Sequence, residues 1–319
     1  MRPVPPYAVL SQDGKRAAYA SGKRLLVIDT AAGQSRIEQL PHEATTLALT
    51  PDGSSLAAAN YDVLSLFHLS DQLEQLGQTA IPAKPYRLVT AANGTTAAAF
   101  VYNDEEGVIA LWRGANLTPV LGAEGHSLGA VLPDFIGLDA INERLLVWGQ
   151  QGAGAFGGTG NAYVRLFDFS GHQLSELWTG AELTFVPNGF VLPLARGTVG
   201  AYDREQITLF DPPTFGRAAA TYALRELEKV VSSPNGEWMA WLWNTSVGSD
   251  STYFLASAQL SAPSAVHVLS FKQMGAFEQF AIADDGQITL LYGKEPNTLL
   301  VFRSDGDRLI QTTDIDVSK

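Results

Sequence analysis

"LTPDGSSLAAA", residues 49–59, runs a short apolar segment into a turn ending in Asp-Gly and then a second alternating segment. Asp-Gly and Asn-Gly supply the positive φ angles that tight hairpins need, so the stretch reads as a β-hairpin. The same design recurs in "LSQDGKRAAYA" (10–20), "TAANGTTAAAF" (90–100), "FVPNGFVLPLA" (185–195), "SSPNGEWMAWL" (232–242) and "IADDGQITLLY" (282–292). The turn glycines are then Gly14, Gly53, Gly94, Gly189, Gly236 and Gly286. They stand about 40–50 residues apart except for one gap twice as long, which requires a unit without its glycine. That unit is "FIGLDAINERLLVWG" (135–149), with Asn142-Glu143 at the turn.

Seven units in 319 residues give about 46 residues each, the length of a four-stranded propeller blade. Each hairpin is followed by a third strand: "RLLVIDT" (24–30), "VLSLFHL" (63–69), "VIALWRG" (108–114), "YVRLFDF" (163–169), "QITLFDP" (206–212), "YFLASAQL" (253–260) and "TLLVFRS" (298–304). A more polar fourth segment comes next, as in "QSRIEQLP" (34–41). No segment keeps helical periodicity over ten residues; "GRAAATYALRELEKV" (216–230) comes nearest and reads as the outer strand and linker of the fifth unit. The expected fold is all-β: one closed seven-bladed propeller with four antiparallel strands per blade. Its blades span approximately 1–41, 42–82, 83–122, 123–180, 181–225, 226–274 and 275–319. Each is built from consecutive residues, with an inner strand at Tyr7–Leu10 and an outer one at Asp307–Asp314, so the first blade borrows no strand from the C-terminus.

On these residues the chain resembles the WD-repeat-like superfamily of seven-bladed propellers over essentially its full length. The likeness lies in the "SPDG"-type turns and in the aromatic-Asp ending of third strands, Phe167-Asp168 and Phe210-Asp211, with Ile28-Asp29 a weaker version. Only Trp112 holds the family's tryptophan place, and no Trp-Asp dipeptide is present. The resemblance implies that His42 and Asp62 keep part of a His–Asp–Ser–Trp network in which Ala58 and Phe67 replace Ser and Trp. It also implies that the connections from second to third strands emerge on one face, beside the connections between blades.

"GQQGAGAFGGTGNAY" (149–163) contains Gly152-x-Gly154-x-x-Gly157, the spacing of a dinucleotide-binding turn. Such a turn must open a helix and be succeeded by an acidic residue about 20 positions on. Here the glycines lead instead into the strand pattern "NAYVRLFDF", so the segment reads as a surface loop holding no nucleotide. With Arg196–Gln206 and Asn244–Thr252, Gly149–Ala162 forms a set of three lengthened second-to-third connections. Long loops on one side of a rigid scaffold are where binding usually resides.

Charge and composition narrow the chemistry. The formal charge is −12 with a pI near 4.8, and no basic run exists, which disfavours nucleic acid and anionic lipid as partners. The absence of cysteine excludes disulfides, thiolate metal sites and cysteine nucleophiles. The N-terminal "MRPVPPYAVLSQDG" has no apolar h-region and no membrane-length apolar run occurs, so a soluble cytoplasmic protein with no membrane association is expected. The five histidines are far apart, and no metal or cofactor is expected.

Acidic residues recur where inner strands begin: Asp134, Glu182, Glu228 and Glu278. They could ring the channel mouth. Trp243 borders the sixth-blade loop as a partly exposed aromatic. The sequence thus points to a non-enzymatic scaffold that uses a loop-rich, net-acidic face to bind a protein or peptide, a basic one being favoured by charge. The candidate contact residues are Gly154, Phe156, Arg204, Trp243, Asp250, Glu182, Glu228 and Glu278, with no catalytic residue among them. Two alternatives remain open. One is a propeller hydrolase, lactonase or lyase with a carboxylate-lined mouth, and the other is a structural subunit of a larger assembly.

Overall fold

The computed structural model describes residues 8–102, 106–121, 125–151, 161–170, 174–181, 183–185, 187–192, 195–215, 218–223, 227–247, 250–262, 265–272, 277–294, 298–306 and 308–316. They form seven antiparallel sheets, each drawn from consecutive strands. Innermost to outermost, blade one is Ala8–Leu10, Arg16–Ser21, Arg24–Asp29 and Gln34–Gln39. Blade seven is Phe277–Ile282, Ile288–Lys294, Thr298–Asp305 and Arg308–Asp316. The inner strands of successive blades touch all the way round, and that of blade seven touches that of blade one. The result is a closed seven-bladed β-propeller in which the terminal blades share no strand.

The turns explain the repeat. In blade one Ser11 Oγ donates to Asp13 Oδ1 at 2.7 Å, Asp13 Oδ1 accepts Lys15 N–H at 3.0 Å, and Gly14 takes φ 69°. Blade two repeats the set with Thr50, Asp52 and Ser54, and blade six with Ser233, Asn235 and Glu237. A short side-chain acceptor therefore satisfies the turn's own amide, and only the next residue must enter the left-handed region. Blade four has no glycine there, and Glu143 itself adopts φ 50°.

The turn glycine also serves packing. A Cβ on Gly53 would lie 2.8 Å from Arg16 Cβ in blade one, and one on Gly14 2.6 Å from Thr289 Oγ1 in blade seven. At Gly286 it would sit 2.9 Å from the Trp238 ring of blade six. Each turn thus rests on the second strand of the preceding blade. Arginines add polar links around the same face: Arg16 donates to Leu69 O, Arg113 to Phe169 O at 2.7 Å, and Arg144 to Gly197 O at 3.3 Å.

Three sequence expectations are corrected. Gly189 is not a turn residue but begins the inner strand Gly189–Val191; its missing Cβ admits Tyr202, whose hydroxyl would otherwise be 2.5 Å away. The fifth turn lies instead at Arg196–Gly197, with φ 61° and 74°. Arg196–Gln206 is therefore no long second-to-third loop. It contains the strand Val199–Tyr202, and the connection is only Asp203–Glu205. In Asn244–Thr252 the described residues likewise pair as a ladder, with Asn244 opposite Tyr253 and Val247 opposite Asp250, and 248–249 lie outside the described residues. In Gly149–Ala162 the ladder runs on to Gln151 opposite Asn161, and 152–160 lie outside the described residues. Blade three extends past residue 122, because His126–Gly129 pairs with its third strand, Glu106–Arg113.

Alanine at Gly22 (φ 62°, no neighbour within 4 Å) and at Gly53 separates the two roles of glycine. Gly22→Ala should cost about 1–2 kcal/mol from the backbone alone, and Gly53→Ala about 2–4 kcal/mol because Arg16 must also move. Urea denaturation measures both; equal losses would contradict the packing role.

Candidate functional site: the channel mouth

The inner strands of blades two to seven each carry a β-bulge at or near their start, that of blade four following Val131–Pro133. Thr45 N–H donates to Ala59 O while Thr46 pairs with the same residue, and Tyr86 with Arg87 does so against Ala99. In blades four, six and seven the extra residue is Asp134, Glu228 or Glu278, and in blade five Asn188 takes the place. A bulge kinks a strand and re-aims its side chains. Polar side chains just past it brace one blade on the next. Thr46 Oγ1 donates to Pro85 O at 3.1 Å, and Arg87 Nε to Asp134 O at 2.7 Å. Gln279 Nε2 donates to Ala8 O at 3.1 Å, and Gln279 Oε1 accepts Leu10 N–H at 2.8 Å.

This layout revises the expected acidic ring. Three of the four carboxylates do fall at equivalent bulges, while Glu182 is outside the described residues. Among the described residues the channel wall nevertheless contains none of them and is largely aliphatic, including Leu10, Leu49, Val89, Leu138 and Val231 around a cavity of about 320 Å³. Burial pushes the Asp134 carboxyl above its ordinary range, with Arg87 offsetting part of the rise. Burial likewise raises Glu228, opposed by Arg204, and lowers the Lys229 ammonium, which sits 5.7 Å from the Phe280 ring.

Trp243 is partly exposed, as the sequence suggests. It stacks on Phe254 at 5.1 Å and 14°, and packs against the core cluster of Leu227 and Trp241. Arg204 is exposed in the Asp203–Glu205 turn, Asp250 closes the sixth-blade ladder, and Gly154 and Phe156 lie outside the described residues. His42 Nε2 bonds Ser65 Oγ at 2.8 Å on the third strand of blade two, so the hydroxyl partner is one the sequence reading missed. Among the described residues no three His, Asp or Glu side chains gather as metal ligands, and no helix is long and apolar enough to cross a membrane.

On the same face, above blades one to three, lies a second cavity of about 450 Å³, lined by Ala8, Thr46, Lys84, Tyr86, Arg87 and others. Tyr86 is 49% exposed with the Arg87 guanidinium 4.6 Å from its ring. Tyr61, 67% exposed, has Lys84 Nζ 5.9 Å from its ring. The second-to-third turn of blade two carries Tyr61, and the linker before blade three carries Tyr86. The only sequence signal for them was an aromatic in each of two connections, "NYD" and "KPYR".

The fold is that of a seven-bladed β-propeller, and the solved structures to which the chain is similar include a WD40 domain. The chain is similar to Hsv2 of Kluyveromyces lactis, at 12% identity, 98% of both chains covered and a TM-score of 0.61. It is also similar to the WD40 domain of SCAP from fission yeast, at 11% identity over 95% of this chain and 82% of that one, with a TM-score of 0.55. U3-55K aligns at 11% identity over 92% and 86%, with a TM-score of 0.54. No family model matches the chain, and no curated protein is similar to it. The likeness is one of fold.

Two substitutions check this assignment. Trp243→Ala should lower stability by about 1–3 kcal/mol through lost packing, read from the urea midpoint. Asp134 contributes to stability below the ordinary carboxylate range and loses that contribution as pH rises through its raised folded value. The advantage of Asp134→Asn over the parent should therefore grow as pH rises above the ordinary carboxylate range of about 4; an advantage that grows on acidification would reverse the assignment.

Proposed function

We propose that the chain is a non-enzymatic binding scaffold that presents the face of the inner-strand starts to a protein or peptide. The observation that carries this reading is Tyr86, exposed at a cavity on a rigid ring, with the exposed Tyr61 linked to that cavity through Lys84. Tyr and Arg are enriched among residues that dominate interface energies, because each buries a large surface while keeping a polar tip. The ring supplies preorganisation, which lowers the entropy cost of association.

The chain's formal charge of −12 favours a partner carrying Lys or Arg and faster association at low salt. The WD40 fold of the similar structures supports the scaffold reading in general.

The immobilised protein, incubated with native lysate, should retain a partner that mass spectrometry identifies. Replacing Tyr61 and Tyr86 together by Ser should weaken that partner at least tenfold in a direct binding titration. Ile141→Ser, at an 87% exposed residue of the tight-turn face, should leave it unchanged. The opposite ranking would place the partner on the tight-turn face.

A further inference from the structure

Val9 and Leu47 line both the mouth cavity and the channel cavity, so the two adjoin and are together termed the shaft. Its two ends differ in chemistry. Among the described residues, the mouth is lined by two cations, Lys84 and Arg87, and by no carboxylate. Deeper down, Leu10, Leu49, Val89, Leu138, Leu192 and Val231 border the channel, each only partly buried by the blades themselves.

The few polar side chains on the channel wall are already engaged. Gln279 is bound to Ala8 and Leu10, Thr90 Oγ1 contacts Thr96 Oγ1 at 3.0 Å, and Ser11 Oγ donates to Asp13. Gln12 Nε2 reaches from blade one past blade seven to Ser232 O and Ser233 O of blade six, each at 3.0 Å, and so crosses the tight-turn end of the channel. With its hydrogen-bonding groups satisfied internally, the shaft offers an occupant mainly aliphatic surface. Water needs two to four polar partners to be held in such a space. A small-molecule site has this form, an apolar cavity of about 300–1,000 Å³ with a few convergent polar groups.

We propose that the shaft binds a monocarboxylate with an unbranched aliphatic chain, its carboxylate at Arg87 and Lys84 and its chain directed down the channel toward Gln12. Arg87 uses Nε on Asp134 O, and its terminal nitrogens retain the planar geometry that recognises a carboxylate. Asp134, whose carboxylate feels the Arg87 charge, lies outside both cavity walls. This site adjoins the partner surface proposed above at Tyr86, but neither reading requires the other.

Isothermal titration with sodium butyrate, hexanoate and octanoate, all below micelle-forming concentrations, tests the proposal on the unsubstituted protein. One saturable site per chain is expected, tightening about fourfold per added methylene. The neutral analogue 1-octanol should bind at least tenfold more weakly than octanoate. Arg87→Gln should abolish that preference and Arg87→Lys should keep it, although both lose the Nε bond to Asp134. Octanoate should also shift the methyl resonances of Leu49, Val89, Leu138 and Val231 in the unsubstituted protein, a readout that needs no variant to fold. Absence of saturable binding would overturn the proposal. So would equal affinity for octanoate and octanol, a preference retained in Arg87→Gln, or shifts confined to surface methyls.

Discussion

Closure of the ring between its first and last blades is the constraint on which the rest of the structure depends. Every other pair of neighbouring blades is joined by the chain itself. At this seam there is only non-covalent contact, because blades one and seven share no strand. The seam is an apolar cluster of Ala8, Ala17, Tyr19, Leu26 and Ile28 against Leu291, Leu299 and Val301, locked at its inner edge by the two hydrogen bonds of Gln279. Closing a ring of this length by side chains alone requires the seven interfaces to add to one turn with little error. That demand explains why the units repeat geometry more faithfully than sequence.

The repeated elements that survive are the ones that set the angle between blades. On one face the turn glycines let each hairpin settle on its neighbour, as Gly14 does on Thr289 across the seam. On the other face a bulge lets Thr46, Arg87 or Gln279 reach the backbone of the next blade. Between these two rings of contacts the blades need only apolar faces, which Ala, Val and Leu provide. The cost falls on the centre, where inner strands cannot converge further and a lined shaft remains.

How far the sequence reveals this depends on whether a residue type has one physical use or two. Gly14, Gly53, Gly94, Gly236 and Gly286 are legible because they all take positive φ, and Asn142-Glu143 could be found from spacing alone. Gly189 carries the same Asn-Gly signature but serves close approach to Tyr202, a use that no local pattern distinguishes. The extended hairpins of blades four and six escaped because "NTSVGSDST" and "GQQ" are polar at successive positions, so no alternation marks a strand. Asp134, Glu228 and Glu278 were rightly aligned with one another, yet a bulge breaks the period of two that would have told which way they point. Tyr86 meets its cavity only through the ring, residues of three blades being needed to line it.

Native-state hydrogen exchange at the Leu10 amide tests this account most directly, because that N–H is bonded to Gln279 Oε1 across the seam rather than within its own sheet. If closure without a shared strand is the governing constraint, the seam opens before the blades unfold. Leu10 should then exchange through a partial opening with a small denaturant dependence, at lower free energy than ladder amides in the middle of blade three such as Ala98. Exchange of Leu10 and Ala98 at the same free energy and with the same denaturant slope would show that the ring opens only as a whole, and would contradict the account.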